Sequence, residues 1–267
     1  MKLYFKVIAI LALPLIFVVA YALCPIQFPP PGWTLSKLHF ATSFISPPLE
    51  PVATGSKEEV QFADKSFHTD VKEEATMDTC PQRILFLGDS MAEGLVRRMA
   101  DYAQENEHNL SCIIWYNSTT RLWASSDTLQ YYIQKYQPTF YMVCIGGNEQ
   151  FVKNLTQREE YIHKIIGTFG NTPFIWIGVP SWKEDTGFNA LVQKCVGENR
   201  YFDSKKLTLT RGSDRIHPTF GAASLWMDSI ASWMQSSNVQ YPIRMQKPAS
   251  KATQRYPLHL LQPTKAQ

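Results

Sequence analysis

The chain has few cysteines for its length, five in 267 residues, at positions 24, 80, 112, 144 and 195. Their wide and irregular spacing excludes a disulfide-rich scaffold and a zinc site built from paired cysteines. Cys112 and Cys144 fall in apolar, strand-like runs, where a free thiol packs as a small hydrophobic group. A bridge between Cys80 and either Cys112 or Cys195 stays open at this point. We predict no metal ion and no organic cofactor.

A surplus of charge of one sign is also absent, since 26 Lys and Arg residues stand against 23 Asp and Glu residues. The five basic residues after Tyr241 meet no acidic residue, and without them the balance is 21 against 23. They are Arg244, Lys247, Lys251, Arg255 and Lys265. A nucleic-acid-binding protein needs a basic surface to neutralise phosphates. The composition therefore excludes nucleic acid as a partner of the main body.

One long apolar run is present, from Val7 to Leu23, and Lys2 and Lys6 precede it. Positive charge before the run and none directly after it predicts that the N-terminus stays in the cytoplasm and the rest crosses the membrane. Residues 1–23 are thus expected to form a hydrophobic helix that anchors the chain in the membrane. The alternative is an export signal, because residues 20–22 also fit a cleavage site. The main body of the chain would then be membrane-anchored outside the cytoplasm, or secreted if the segment is cleaved.

Two further regions lack the apolar periodicity of a packed element. Residues 24–80 combine proline runs with a charged stretch, which predicts an extended linker. Residues 239–267 mix four prolines with basic and polar residues, which predicts a disordered basic tail. We place one folded domain between them, at residues 81–238.

Apolar runs of strand length alternate with helical patterns through that domain. We predict strands at 83–87, 111–116, 139–145 and 173–179, and helices at 91–106, 129–135, 157–169 and 220–235. Because the strands are apolar on both faces, they predict a parallel sheet between two helical layers, a three-layer α/β/α sandwich. The side chains expected to point inward are Leu95, Met99, Tyr102, Leu225, Ile230 and Trp233, with Trp115, Trp176 and Trp226 also in the core.

Polar residues follow the predicted strands directly. Ser90 ends the segment Gly88-Asp89-Ser90 after the first strand, whereas Asp214 and His217 share the loop before the last helix. Ligands collect at the carboxyl ends of parallel strands, so these side chains are expected at one edge of the sheet. A serine hydroxyl becomes a nucleophile when a base takes its proton and a carboxylate orients that base. The sequence therefore predicts Ser90 as nucleophile, His217 as base and Asp214 as the orienting group.

Two neighbouring residues have other expected roles. Asp89 is predicted to bond backbone groups in its turn and to have no catalytic role. Asn148 follows two glycines, which let the backbone turn closely enough to aim an amide donor at a substrate oxygen. Ser90 lies where a strand turns into a helix, so its N–H points toward charge that develops on the same oxygen. Both are candidate oxyanion donors.

Three segments of the chain, 86–90, 146–149 and 214–218, resemble the first, third and fifth sequence blocks of the SGNH hydrolases, also called GDSL hydrolases. The resemblance covers residues 82–235 and implies a flavodoxin-like fold in which Ser90 attacks, His217 is the base and Asp214 orients it. It also implies that the Asn148 side chain and the Ser90 N–H bind the oxyanion.

The chain departs from this family in two places. The family's second block offers a glycine N–H to the oxyanion, whereas residues 117–120 here read Asn-Ser-Thr-Thr. Ser118 and Thr119 are then alternatives for that donor. Glu149 replaces the more usual aspartate after Asn148 and keeps its charge.

Loops at the reactive edge shape specificity, and Trp123 and Trp182 are placed there as candidates for stacking on a substrate. The resemblance implies a carboxylic ester hydrolase, and a location outside the membrane favours O-acetyl or other short acyl groups on a glycan. Three alternatives stay open: an O-acyltransferase, a lysophospholipase, and a noncatalytic glycan-binding module. The expected partners are the acylated glycan and, through residues 1–23, the membrane.

Overall fold

A computed structural model of the chain describes residues 76–263. The predicted membrane helix at 1–23 and nearly all of the linker at 24–80 lie outside the described residues. Within the described range, no helix has the length and apolar character that crossing a membrane requires.

The centre of the fold is a six-stranded sheet in which every neighbouring pair of strands is parallel. The strands are β1 (Arg83–Gly88), β2 (Asn109–Trp115), β3 (Phe140–Cys144), β4 (Phe174–Ile177), β5 (Tyr201–Phe202) and β6 (Leu258–Leu261). Their order across the sheet is β5-β4-β3-β1-β2-β6. The predicted α/β class with a parallel sheet is confirmed, and the arrangement is flavodoxin-like in general kind.

Within residues 76–263, six α-helices connect the strands. They are α1 (Glu93–Glu105), α2 (Thr120–Ser125), α3 (Thr128–Tyr136), α4 (Leu155–Phe169), α5 (Phe188–Val196) and α6 (Phe220–Met234). Alternate residues of β1 belong to two separate cores, because successive side chains of a strand point to opposite faces. Phe86 packs with residues of α1 and α6, whereas Leu87 packs with residues of α2 to α5. Helices therefore cover both faces of the sheet.

The four predicted strands and four predicted helices are all present, within a few residues of their expected ends. The sequence reading missed α2, α5, β5 and β6. Helix α2 has six residues and β5 has two, which is too short for a period to show. Helix α5 did carry a signal, since Phe188, Val192 and Val196 recur every four residues and are buried.

The C-terminal segment corrects the prediction of a disordered tail at 239–267. Residues 239–263 are described, β6 pairs with β2, and Val239, Ile243 and Met245 are buried in the core beside α1 and α6. The composition of this segment suggested disorder because the segment has too few apolar residues to form a core by itself. It adds a few apolar side chains to an existing core and covers the edge of β2, whose backbone groups would otherwise lack partners.

Most of the predicted core positions are confirmed. Leu95, Met99, Tyr102 and Ile230 are buried, and so are the tryptophans at 115, 176 and 226. The prediction that Leu225 points inward is wrong, because this residue is 66% exposed. It lies one residue before the buried Trp226, a rotation of about 100° around the helix that points it away from the sheet. Trp233 is only partly buried.

The described cysteines form no disulfide. Cys112 and Cys144 are buried core residues as predicted, Cys80 is exposed, and Cys195 is half-buried. The bridge that the sequence left open between Cys80 and either Cys112 or Cys195 is therefore not formed.

Candidate active site

Ser90 lies in the tight turn between β1 and α1, at the carboxyl edge of the sheet. The chain continues from β1 to β2 on one side and later returns to β3 on the other, so β1 lies at the topological switch point. In open parallel sheets, the crevice at this point is the usual place for a ligand. Helix α1 begins at Glu93, two residues later than predicted, which leaves Ser90 in the turn itself and partly exposed.

Asp89 fastens this turn to the loop after β3. Its carboxylate is fully buried and accepts N–H bonds from Met91 at 2.9 Å, Gly146 at 3.0 Å and Gly147 at 2.7 Å. Burial raises the pKa of Asp89, and the three N–H donors oppose that rise because they stabilise the charged form. The predicted structural role of Asp89 is confirmed.

The loop after β3 needs its two glycines. Gly146 has φ +135°, a backbone conformation that residues with a side chain rarely adopt, and a Cβ there would lie 2.3 Å from the Phe188 ring. A Cβ on Gly147 would lie 2.8 Å from Met91 Cγ and 3.1 Å from the Asp89 carboxylate. Glycine at both positions allows the loop to approach the Ser90 turn closely.

Asn148 and Glu149 connect the loop after β3 to the loop after β2. Asn148 is exposed, and its Nδ2 donates to the Ser118 carbonyl at 2.9 Å, which leaves a second amide hydrogen for another acceptor. The Glu149 side chain is fully buried and accepts from Thr120 N at 2.5 Å and Thr120 Oγ1 at 2.9 Å. Burial raises the pKa of Glu149, opposed by Thr120 and by Arg158, whose Nε lies 2.7 Å away.

The prediction of Ser118 as the second backbone oxyanion donor is wrong. Ser118 is fully buried, its N–H donates to the Trp115 carbonyl at 3.2 Å, and its hydroxyl accepts from Trp123 Nε1 at 2.9 Å. No hydrogen bond between residues in the range 76–263 uses the N–H of Thr119 or of Ser90. Of the two alternatives that the sequence left open, Thr119 is the one with a free N–H.

The loop at 210–219 brings His217 and Asp214 to Ser90. His217 Nδ1 lies 2.6 Å from Asp214 Oδ2, and His217 Nε2 lies 3.0 Å from Ser90 Oγ. Because a carboxylate only accepts hydrogen bonds, Nδ1 carries the proton and Nε2 is left to accept from the serine hydroxyl. The three predicted catalytic residues therefore lie in one hydrogen-bonded chain, although they are separated by up to 127 positions in sequence.

Asp214 is held in its charged form by its own loop. The hydrogen bond from His217 lowers the pKa of Asp214 to about 2, together with N–H bonds from Ile216 at 2.9 Å and from the His217 backbone at 3.1 Å. Arg215, which lies between Asp214 and Ile216, has φ +61°. This left-handed conformation turns the chain tightly enough for these contacts.

Arg211 braces the same loop, a role that was not predicted from the sequence. Its guanidinium donates to the Ile216 carbonyl at 2.5 Å and to the Pro180 and Ser181 carbonyls at 3.1 Å each. Burial lowers the pKa of Arg211. The loop that carries His217 is thus tied to the loop after β4. All three acceptors are backbone carbonyls, which leave no trace in a sequence pattern.

A cleft of about 470 Å³ opens beside the Ser90 hydroxyl. It is lined by Ser90, Met91, Glu93, Gly94, Tyr116, Asn117, His217, Pro218, Phe220, Gln262 and Pro263. The last two residues belong to the C-terminal segment that was predicted to be disordered. That segment therefore supplies part of the wall of the cleft.

The two tryptophans proposed for substrate stacking differ. The prediction that Trp123 contacts the substrate is wrong, because this residue lies in α2 and is 1% exposed. Its ring packs edge-on against that of Trp115, with the ring centroids 5.3 Å apart. Trp182 is partly buried on the loop after β4 and contacts Phe151 edge-on at 5.2 Å. It does not line the cleft beside Ser90, so its role stays a prediction.

One group of described side chains has the spacing to hold a metal ion, namely Glu159, His163 and Cys195, whose ligand atoms lie within 4.8 Å of one another. It lies on α4 and α5, on the face of the sheet opposite to α1 and α6. Glu159 already pairs with Lys194, with 2.9 Å between Nζ and Oε1. The group contributes nothing to the Ser90 site.

The sequence matches no protein-family model and no curated protein. The functional argument therefore depends on the residues and the geometry of the site.

Proposed function

We propose that this chain is a serine ester hydrolase of the SGNH type and that Ser90, His217 and Asp214 are its catalytic triad. The observation that carries the proposal is the pair of contacts at His217, 3.0 Å to Ser90 Oγ and 2.6 Å to Asp214 Oδ2. Contacts of this length, in this order, are what a serine needs to act as a nucleophile.

The reaction has two halves. Ser90 Oγ attacks the ester carbonyl carbon while its proton passes to His217 Nε2, and the C–O bond to the alcohol then breaks as His217 returns that proton to the leaving oxygen. Water next attacks the acyl-enzyme, gives a proton to His217, and releases the carboxylic acid as the Ser90 hydroxyl is restored. Asp214 stabilises the charged imidazole in both halves. This chemistry requires no metal ion and no organic cofactor.

The negative oxygen formed in each half needs hydrogen-bond donors. The N–H of Ser90 and the second amide hydrogen of Asn148 are the donors that we propose, with the N–H of Thr119 as a third. Loss of one such donor typically costs about 3 kcal/mol of transition-state stabilisation. The bond from Asn148 Nδ2 to the Ser118 carbonyl holds the amide group in place for this task.

The exposure of the site favours hydrolysis over acyl transfer. The side chains of His217 and Asp214 are 41% and 48% exposed, so water has open access to the base. An acyltransferase must keep water away from its acyl-enzyme, and a closed site is the usual means. A noncatalytic glycan-binding shell, in turn, has no need for a hydrogen-bonded chain from Asp214 through His217 to Ser90.

The cleft favours a short acyl group over a lipid chain. Its lining combines apolar side chains such as Met91 and Phe220 with polar ones such as Glu93, Asn117 and Gln262. A lysophospholipase needs an apolar channel for a long chain. We propose O-acetyl or similar short esters on a glycan as the substrate, outside the cytoplasm, where the charge pattern of the N-terminal segment would place the domain.

Release of 4-nitrophenol from 4-nitrophenyl acetate tests the proposal. The full chain is expected to turn this ester over, and Ser90→Ala is expected to lower kcat by at least about 10⁴-fold. Ser213→Ala is the matched control, since Ser213 is an exposed serine in the same loop as the triad base, and it is expected to keep the parent rate. Equal rates in Ser90→Ala and the parent chain would overturn the assignment.

A further inference from the structure

Phe220 is an unusual surface residue beside the cleft. It is the first residue of α6, it lines the cleft that contains Ser90 and His217, and its side chain is 61% exposed. The Arg97 guanidinium lies over its ring, 4.5 Å from the centroid. Phe220 thus offers an apolar surface directly beside the cleft that contains the Ser90 hydroxyl. Sugar rings present C–H faces that stack on such a ring.

A second hollow of about 440 Å³ continues the cleft on the other side of Phe220. It is lined by Arg97, Arg98, Ala100, Asp101, Phe220, Gly221, Ser224, Lys251, Ala252, Gln254 and Tyr256. Phe220 belongs to both hollows and so forms a ridge between them. Helix α1 contributes to both, with Glu93 and Gly94 in the first and Arg97 and Asp101 in the second.

The far wall of the second hollow is fixed in place by α1. Asp101 Oδ1 accepts from Ala252 N at 2.8 Å, and Gln104 Oε1 accepts from Thr253 N at 2.8 Å and Gln254 N at 2.9 Å. These bonds hold the backbone that carries Lys251. The hollow is therefore lined by Arg97 from α1 and by Lys251 from a C-terminal segment that α1 holds in place.

The charges of the second hollow do not cancel. Asp101 is the one acidic residue that lines the hollow, and it pairs with Arg98 at 3.2 Å. Asp228 nearby pairs with Arg98 at 2.7 Å and with Lys247 at 3.5 Å. Arg97 and Lys251 form no salt bridge with any residue in the range 76–263. Two positive groups thus line the hollow with no carboxylate partner among those residues. The first cleft has the opposite tendency, because Glu93 lines it.

We infer that the Phe220 ridge and the second hollow form a subsite for a negatively charged sugar, a uronate or similar carboxylate-bearing unit, next to the ester-bearing sugar in an acidic glycan. The inference rests on the proposed function and names its substrate class. The neutral, acylated sugar lies at Ser90, where Glu93 repels a second carboxylate. The neighbouring unit stacks on Phe220 and places its carboxylate between Arg97 and Lys251.

The chemistry of the side chains supports this choice. The Arg97 guanidinium lies 4.5 Å from the centroid of the Phe220 ring and has no carboxylate partner in the range 76–263. A guanidinium binds a carboxylate through two parallel hydrogen bonds. A fatty acyl chain would instead meet two unpaired cations and several polar groups. A neutral glycan could stack on Phe220 but would offer no carboxylate to Arg97 and Lys251.

Binding to the inactive protein tests the subsite independently of catalysis. Full-chain Ser90→Ala is titrated by calorimetry with an oligogalacturonide and with a neutral xylo-oligosaccharide of equal length. The acidic oligosaccharide is expected to bind at least tenfold more tightly in 50 mM salt, and the ratio is expected to shrink as salt rises. Equal binding of the two oligosaccharides, or binding of neither, would overturn the subsite and leave the triad proposal standing.

Substitutions then locate the charge. Arg97→Met and Lys251→Met, each in the Ser90→Ala background, are expected to remove most of the preference for the acidic oligosaccharide. Lys164→Met is the matched control, because it removes one exposed positive charge from α4, on the opposite side of the sheet, and is expected to change neither affinity. An acidic preference that survives both substitutions, or that Lys164→Met reduces equally, would refute the assignment to this hollow.

Catalysis gives a separate reading. In the protein with Ser90 intact, acetate release from partly acetylated oligogalacturonides is expected to show a lower KM than release from acetylated xylo-oligosaccharides. If the parent chain does not turn over 4-nitrophenyl acetate, the proposal that it is a hydrolase is contradicted. If it releases acetate from both glycans with equal KM values, the proposed subsite is contradicted.

Discussion

The two sides of the candidate site are built in opposite ways. On the side of the nucleophile, the loops after β1, β2 and β3 are fastened by the buried carboxylates of Asp89 and Glu149, which accept backbone N–H bonds from neighbouring loops. On the side of the base, Asp214 is exposed and bonds within its own loop. The same functional group thus joins neighbouring loops where it is buried and orients the imidazole of His217 where it is exposed.

Stability and activity should therefore separate between the two sides. A change on the side of the nucleophile removes buried hydrogen bonds and affects the whole sheet edge. A change at Asp214, on the side of the base, affects an exposed side chain whose hydrogen bonds stay within its own loop. Substitutions of the aspartates on the two sides test this difference most directly.

The largest expected effect is that of Asp214→Asn on catalysis. The amide can donate to His217 Nδ1, which then favours the tautomer with its proton on Nε2 and leaves the serine without a base. We expect kcat for 4-nitrophenyl acetate to fall by about 10⁴-fold. The free energy of unfolding in urea at pH 7 should change little, since the side chain is 48% exposed. A variant with full activity would show that Asp214 does not orient His217.

Asp89→Ala is expected to have the largest effect on stability. It leaves the N–H groups of Met91, Gly146 and Gly147 buried and without partners. Each such group costs about 1–3 kcal/mol, and we expect a total loss of about 3–5 kcal/mol in the free energy of unfolding, measured by urea denaturation.

Asp127→Ala is the matched control for that substitution. Asp127 is an exposed aspartate that precedes α3 and makes no capping hydrogen bond through its side chain. Its replacement should change the free energy of unfolding by less than about 0.5 kcal/mol. Similar losses in the two variants would mean that the three N–H bonds of Asp89 do not hold the turn.

The smallest expected effect is the dependence of stability on acid pH. The pKa of Asp214 is lowered from 3.8 to about 2, so its contribution to stability is complete above pH 4 and disappears as the pH falls toward 2. From pH 5 to pH 2, the parent chain should lose slightly more stability than Asp214→Asn. Asp89, whose pKa is shifted upward, is present in both proteins and cancels in the difference. Parallel curves would contradict the lowered pKa.

Much of the fold could be predicted because its signals are local. The apolar runs of β1 to β4 and the period of α1 and α6 lie within single stretches of sequence. What failed depends on contacts between distant stretches. The segment at 239–263 looks disordered by itself, yet β6 is stabilised by the edge of β2, more than 140 positions away. Leu225 was misplaced because the sequence did not fix the rotation of α6.

The candidate site shows the same difference between features with a local sequence signal and features that depend on distant contacts. Ser90 could be predicted because it directly follows the first strand, and Asp214 and His217 because residues 214–218 resemble a sequence block of the SGNH hydrolases. Ser118 failed because a turn hydrogen bond to Trp115 uses its N–H. The brace at Arg211 could not be found, since its partners are backbone carbonyls that any residue would offer.

Covalent labelling tests the central claim most directly. The full chain is incubated with a fluorophosphonate, which reacts only with an activated serine, and the modified residue is located by mass spectrometry. We predict one adduct, on Ser90, and no adduct in His217→Ala, because the hydroxyl then has no base at 3.0 Å. An unlabelled parent chain, a label on another serine, or a label on Ser90 that forms as fast in His217→Ala would contradict the triad.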